Sequence, residues 1–166
     1  MKELYIVRHA KSSWDFPHLS DHERPLSERG ESAAPLMAEY VRKRIIIPQV
    51  FVSSDAVRAY TTAFEFMKIF GVPKNEILKK KELYHASKGD WFKVIYTIEN
   101  RFDSAMLFGH NPGLTEFVNE ISGVDIYNIP TCGIVGIHFE INSWKNINAE
   151  KGKLVHYYFP KGIKRQ

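Results

Sequence analysis

Leu4-Tyr5-Ile6-Val7-Arg8-His9 begins as a continuous run of apolar residues, most of them β-branched or aromatic, and ends on two side chains that carry or can take positive charge. A run that is apolar at every position, rather than at alternate ones, belongs to a strand covered on both faces, the habit of a parallel sheet with helices on either side. The same design returns twice. Val50-Phe51-Val52 stops at Ser53-Ser54-Asp55 with Arg58 close behind, and Ala105-Met106-Leu107-Phe108 stops at Gly109-His110. Helical patterns fill the intervals. Ser27 is an N-cap for a helix with Ala34, Met37, Ala38, Val41 and Ile45 at helical spacing; a second helix runs from Ala56 to Phe70, where Gly71 and Pro73 end it. A third is expected from Asp90 to Asn100, and a fourth from Asn111-Pro112 to Ile121. Ile77 to Tyr84 reads as a short strand and loop. Ile134 to Ile141 and Leu154 to Phe159 alternate as antiparallel strands do, with Asn146 to Gly152 as a polar turn between them. The expectation is one α/β domain over residues 1–166, closed by a C-terminal hairpin.

Composition sets the outer bounds. The chain has 166 residues, 44% hydrophobic and 25% charged, ordinary for a folded domain and far from a disordered segment. Lys and Arg exceed Asp and Glu by 23 to 19, an excess that suits a phosphate substrate as well as a polyanion. The basic stretches Lys79 to Lys81 and Lys161 to Arg165 carry no interleaved aromatic platform, so nucleic acid is not the expected partner. The single cysteine, Cys132, can form no internal disulfide, and its setting in Pro-Thr-Cys-Gly without a nearby base reads as a small buried residue. Leu4 to Val7 is too short for a signal-peptide core, and no stretch approaches the roughly 18 apolar residues of a membrane span. The expectation is a cytoplasmic, soluble monomer.

In an open α/β sheet, ligands bind beyond the carboxyl ends of the strands. The three strand ends here would bring Arg8, His9, Arg58 and His110 to one crevice. So many cationic or protonatable groups repel one another unless an anion sits among them. Arg58 strengthens that reading, because it falls in the first turn of its helix, where the helix dipole disfavours a cation. Gly109-His110-Asn111-Pro112-Gly113 adds backbone N–H groups and a helix N-terminus suited to phosphate.

These residues carry a resemblance. Arg8-His9-Ala10-Lys11-Ser12-Ser13-Trp14, Arg24-Pro25-Leu26-Ser27-Glu28-Arg29-Gly30, Ser53-Ser54 with Arg58, and Gly109 to Gly113 resemble the histidine phosphatase superfamily, and within it the short SixA-type phosphohistidine phosphatase branch. Ala10 stands where the superfamily signature has glycine. The resemblance implies a phosphoglycerate mutase-like three-layer sandwich, a mostly parallel central sheet flanked by helices, with no metal and no cofactor. It also implies a two-step mechanism: His9 attacks phosphorus, Arg8 and Arg58 clamp the phosphoryl oxygens, a protonated His110 stabilises the transition state, and water releases inorganic phosphate.

Several roles stay open in the sequence. Glu82 is placed either to protonate a leaving group or as a solvated acid beside three lysines, with Asp21 and Glu23 as further acidic candidates. Ser12, Arg24, Ser54 and Asn111 are expected to bind phosphate or substrate, with turn and cap chemistry as the other reading of the serines. Trp14, Phe16 and Pro17 either shape substrate entry or cover the core. A phosphorylated protein, such as a phosphotransfer domain, and a small phosphate ester are both eligible substrates. A catalytically silent phosphate-binding or regulatory module is the alternative from another class. A mutase is disfavoured because the chain lacks the length that would hold a second phosphate position.

Overall fold

The computed structural model describes residues 1–163 and is organised around the first strand, β1 (Lys2–Arg8). Alternate side chains of β1 serve different helices. Leu4 and Ile6 enter a cluster with Trp91, Val94 and Ile95 of α3 (Lys88–Tyr96) and Leu114, Phe117 and Val118 of α4 (Gly113–Ser122). Tyr5 and Val7 enter another with Met37 and Val41 of α1 (Glu28–Arg42) and Ala63, Phe66 and Met67 of α2 (Val57–Phe70). Burial on both faces is why the run reads as continuously apolar, and each large side chain so buried contributes about 1.5–3 kcal/mol. The result is helix, sheet, helix in three layers.

The remaining strands are β2 (Val50–Ser53), β3 (Leu78–Lys79), β4 (Ser104–Gly109), β5 (Ile134–Phe139) and β6 (Lys153–Tyr158). Among the described residues they form a single sheet in the order β3-β2-β4-β1-β5-β6. The pairs β3–β2, β2–β4 and β4–β1 are parallel, whereas β1–β5 and β5–β6 are antiparallel. The expected hairpin is therefore present and lies along the exposed edge. The register pairs Arg8 with Gly109 and Ser53 with Phe108, so the chain leaves β1, β2 and β4 at the same end of the sheet.

Local departures from expectation have local causes. The third helix begins at Lys88 and ends at Tyr96, because Ser87 and Asp90 form a capping box that starts it two residues early. Pro35 sits inside α1 without ending it, and Ser27 caps that helix by accepting from the Gly30 N–H. The link between β5 and β6 is less polar than expected, since Trp144 and Ile147 are fully buried in it. Lys2 is also buried, its Nζ donating to the Asn100 and Phe102 carbonyls and to Asp103 Oδ1 at 2.7–3.0 Å, which offsets the cost of taking the charge out of water. Within the described residues no helix is long and apolar enough to cross a membrane. Lys164 and Arg165 of the basic tail lie outside the described residues.

Candidate active site

His9 follows directly on β1, and its backbone N–H donates to the Gly109 carbonyl at 3.1 Å. Its ring Nδ1 lies 2.6 Å from the Ala10 carbonyl, an acceptor with no proton to give. The ring proton must therefore sit on Nδ1, which leaves the lone pair on Nε2. Ala10 is itself fixed: its N–H donates to Thr62 Oγ1 at 2.9 Å, and that hydroxyl donates to the Arg58 carbonyl at 2.7 Å. One buried threonine thus ties the turn after His9 to the first turn of α2. Sequence reading missed Thr62, although a polar residue four positions after Arg58, on the apolar face of a helix, was a signal.

His110 leaves β4 beside His9, with ring centroids 5.1 Å apart. Its Nε2 lies 2.8 Å from Ser54 Oγ, which also accepts from the Ala56 N–H. Ser54 therefore caps a turn and orients a site histidine at once. Both rings are buried, and both are held neutral. Burial chiefly, then Arg58, Arg8 and Arg24, push His9 down to about 4 against the Ala10 hydrogen bond, which works the other way. Burial chiefly, then His9 and Arg58, push His110 down to about 2. In the free protein His110 is thus held neutral chiefly by burial, whereas the protonated His110 expected from sequence belongs to the transition state, with the phosphoryl group in place.

The two arginines are held differently. Arg8 Nη1 donates to the Ile129 carbonyl at 2.9 Å, while its Nε is buried. Arg58 Nη1 and Nη2 grip Asp21, at its carbonyl (2.7 Å) and at Oδ2 (3.0 Å). Asp21 also receives Arg24 Nη1 on Oδ1 at 2.9 Å and the Tyr84 hydroxyl on Oδ2 at 2.6 Å. Burial alone would raise the Asp21 pKa, but the hydrogen bonds from Tyr84, Arg58 and Arg24 outweigh it and hold the carboxyl well below the usual range. Asp21 is therefore a fixed negative charge, not a proton donor. Asp21 was expected from sequence only as a further acidic candidate, and Tyr84 was not singled out at all.

The remaining candidates divide. Arg24 is buried, donating to the Ser13 carbonyl at 3.0 Å and to Ser12 Oγ at 2.6 Å, with its guanidinium 3.3 Å from the centre of the exposed Trp14 ring. Arg24 and Ser12 thus brace the loop after His9, and Trp14 covers the arginine from solvent. Asn111 is corrected. Its amide donates to Asn128 Oδ1 and the Ile129 carbonyl, and its oxygen accepts from the Thr115 N–H and hydroxyl, so the side chain is spent on capping α4 and anchoring the loop at 128–129. Glu82 is exposed in a short turn at Lys81–Leu83 and, among the described residues, makes no hydrogen bond to the cluster. Glu23 bonds Ser20 instead. Cys132 is fully buried with its thiol pushed up to about 12 by burial, and its N–H reaches the Arg8 and His9 carbonyls at 3.0 Å.

Among the described residues, the buried side-chain nitrogens with no hydrogen-bond partner are Arg8 Nε, Trp91 Nε1, His110 Nδ1 and His138 Nε2. Two of them belong to this cluster. Buried polar nitrogens are costly to leave unpaired, so the two in this cluster mark a place for a ligand group that can pair with them. No three His, Cys, Asp or Glu side chains among the described residues gather as a metal would require.

Known proteins resemble this chain in sequence and fold. The family model for the histidine phosphatase superfamily (branch 1) matches residues 4–117. An uncharacterised chloroplastic protein of Arabidopsis thaliana is 30% identical over 159 residues, covering 91% of this chain and 72% of that protein. Phosphoserine phosphatase 1 of Hydrogenobacter thermophilus is 28% identical over 134 residues, covering 77% of this chain and 60% of its own length. A crystal structure assigned as a phosphohistidine phosphatase SixA from Agrobacterium tumefaciens superposes with a TM-score of 0.80 at 25% identity, covering 96% of this chain and 98% of that one. The expected phosphoglycerate mutase-like architecture is borne out.

Proposed function

The chain belongs to the histidine phosphatase superfamily, and on that footing we propose that it is a phosphatase that carries the phosphoryl group on His9 Nε2. The observation that carries the reading is the orientation of His9, whose proton is committed to Ala10 while its lone pair stays free in a cluster of cations. A neutral imidazole is a competent nucleophile near neutral pH. In the first step Nε2 forms a bond to phosphorus as the bond to the leaving group breaks, and the leaving group departs with the electron pair. In the second, water attacks phosphorus, the Nε2–P bond breaks and inorganic phosphate leaves. Arg8, through its unpartnered Nε, and Arg58 neutralise the phosphoryl oxygens without a metal. The unpartnered Nδ1 of His110 supplies a further donor, because the Ser54 hydroxyl can donate to Nε2 and leave the ring proton on Nδ1.

The preferred substrate is a phosphohistidine on a protein. Asp21 is held ionised and Glu82 stands apart, so among the described residues no carboxylic acid is poised at the cluster to protonate an alkoxide. A phosphorylated imidazole needs no such acid, because once its other ring nitrogen has taken a proton from water it departs as a neutral imidazole, whereas an ester oxygen departs as an alkoxide. Likeness to a phosphoserine phosphatase favours a small ester as the second reading. Phosphate release from a phosphohistidine protein and from an ester panel, wild type against His9→Ala, tests both: release by wild type alone supports the nucleophile, whereas equal release refutes it. The relative rates choose between the substrates.

A further inference from the structure

Next to the catalytic cluster lies a cleft of about 490 Å³ whose lining includes Arg8, Lys11, Arg29 and Lys161 and no carboxylate. The fold brings these cations together from distant parts of the chain. The Lys11 carbonyl accepts from the Ser27 N–H at 2.9 Å and from the Ser27 hydroxyl at 3.1 Å. A Cβ on Gly30 would come within 2.1 Å of the same oxygen. The turn after the nucleophile therefore rests directly on the first turn of α1, which sets Lys11 beside Arg29. Lys161 arrives from the segment after β6, and Arg8 forms the wall shared with the site.

Among the described residues, Lys11, Arg29 and Lys161 make no ion pair. Arg29 lies in the first turn of α1, where the dipole disfavours it. Like charges gathered around a concave surface raise the local concentration of anions. The basic tail noted in the sequence thus has one member facing a recess rather than bulk solvent.

We infer that this cleft receives a second anionic group, a carboxylate or a phosphate, borne by the molecule whose phosphoryl group is presented to His9. The identity of that first group rests on the phosphatase reading; the preference for a second anion is measurable without it. The group comes either from an acidic residue flanking the phosphorylated one in a protein or from a doubly anionic small ester.

Two matched pairs of probes separate these sources: phosphohistidine peptides with Asp or Asn at the flanking positions, and 4-carboxyphenyl phosphate against phenyl phosphate. Binding is read by calorimetry in a His9→Ala background, so that turnover does not interfere, and kcat/KM is read in the active protein. Exposed charge contacts are individually weak, so the Lys11→Gln, Arg29→Gln, Lys161→Gln combination should weaken the carboxylated member of one pair about 10- to 30-fold and its partner less than about 3-fold. The pair that responds identifies the source. Equal losses in both members, or no loss in either pair, overturn the inference. If the active protein releases phosphate from none of the probes, the phosphatase reading falls while the calorimetric preference still decides the cleft.

Discussion

Asp21 Oδ2 lies 3.0 Å from Arg58 Nη2, so the arginine expected to meet phosphate already holds an internal carboxylate. The same carboxylate positions the arginine and opposes the incoming anion. Replacing Asp21 with Asn removes the negative charge while leaving a hydrogen-bonding oxygen. Inorganic phosphate should then inhibit at concentrations several-fold lower, because repulsion is relieved, while kcat falls about 10-fold as Arg58 loses its hold. A joint loss of affinity and rate would show that Asp21 acts only as scaffold.

Arg58→Ala should slow phosphoenzyme formation by about 10²- to 10³-fold, the usual effect of deleting one charge-stabilising donor. Arg58→Lys keeps the charge but cannot grip the Asp21 carbonyl and carboxylate together, so its rate should fall between the two. Rapid-quench measurement of acid-labile phosphate on the protein reports this step. A lysine variant equal to wild type would mean that charge alone matters there.

Gly30→Ala sets two effects against each other. Alanine favours a helix interior over glycine by about 1 kcal/mol. The added methyl would overlap the Lys11 carbonyl, and forced displacement in a packed site costs about 1–3 kcal/mol or more. The contact should win, giving net destabilisation by urea unfolding and lower activity, since Lys11 adjoins the turn that holds His9.

Acidification should destabilise the fold through its two site histidines. Burial keeps His9 neutral down to about pH 4 and His110 to about pH 2, whereas the unfolded chain takes up both protons near pH 6.5. The unfolded state therefore binds more protons below pH 6.5. Stability should fall between pH 6 and pH 4 by up to about 2–3 kcal/mol per unit from these two residues. Asp21 acts elsewhere: its lowered pKa stabilises the fold above the usual carboxylate range and is lost only at still lower pH. Urea midpoints across this range should depend less steeply on pH in a His9→Asn, His110→Asn variant, and bound phosphate should flatten the wild-type slope too.

What the sequence revealed was what short-range pattern encodes. Runs apolar at every position gave β1, β2 and β4, and their polar ends gave Arg8, His9, Ser54 and His110. Arg58 stood out because it breaks a helix rule. Asp21 did not, since it meets Arg58 across 37 positions from a short turn with no periodicity to announce it. Asn111 misled because an amide beside a helix start is equally suited to phosphate and to its own helix, and the residue type does not say which. The early start of α3 was legible in Ser87 and Asp90, but the apolar pattern drew the boundary inward.

Arg8 is paired with Gly109 in the β1–β4 ladder, so His9 and His110 leave the sheet from adjacent rungs. Neighbouring strands stand about 4.8 Å apart whatever side chains they carry, and the two rings follow at 5.1 Å. The backbone thus sets the two histidines side by side before any side-chain contact is made. On the phosphatase reading, the choice of substrate falls to the segments outside these two strands, around residues 10–24, 73–89 and 124–133. If His9 carries the phosphoryl group as proposed, a lineage, or an engineer, could rewrite those segments without disturbing the strand spacing that sets the two histidines side by side.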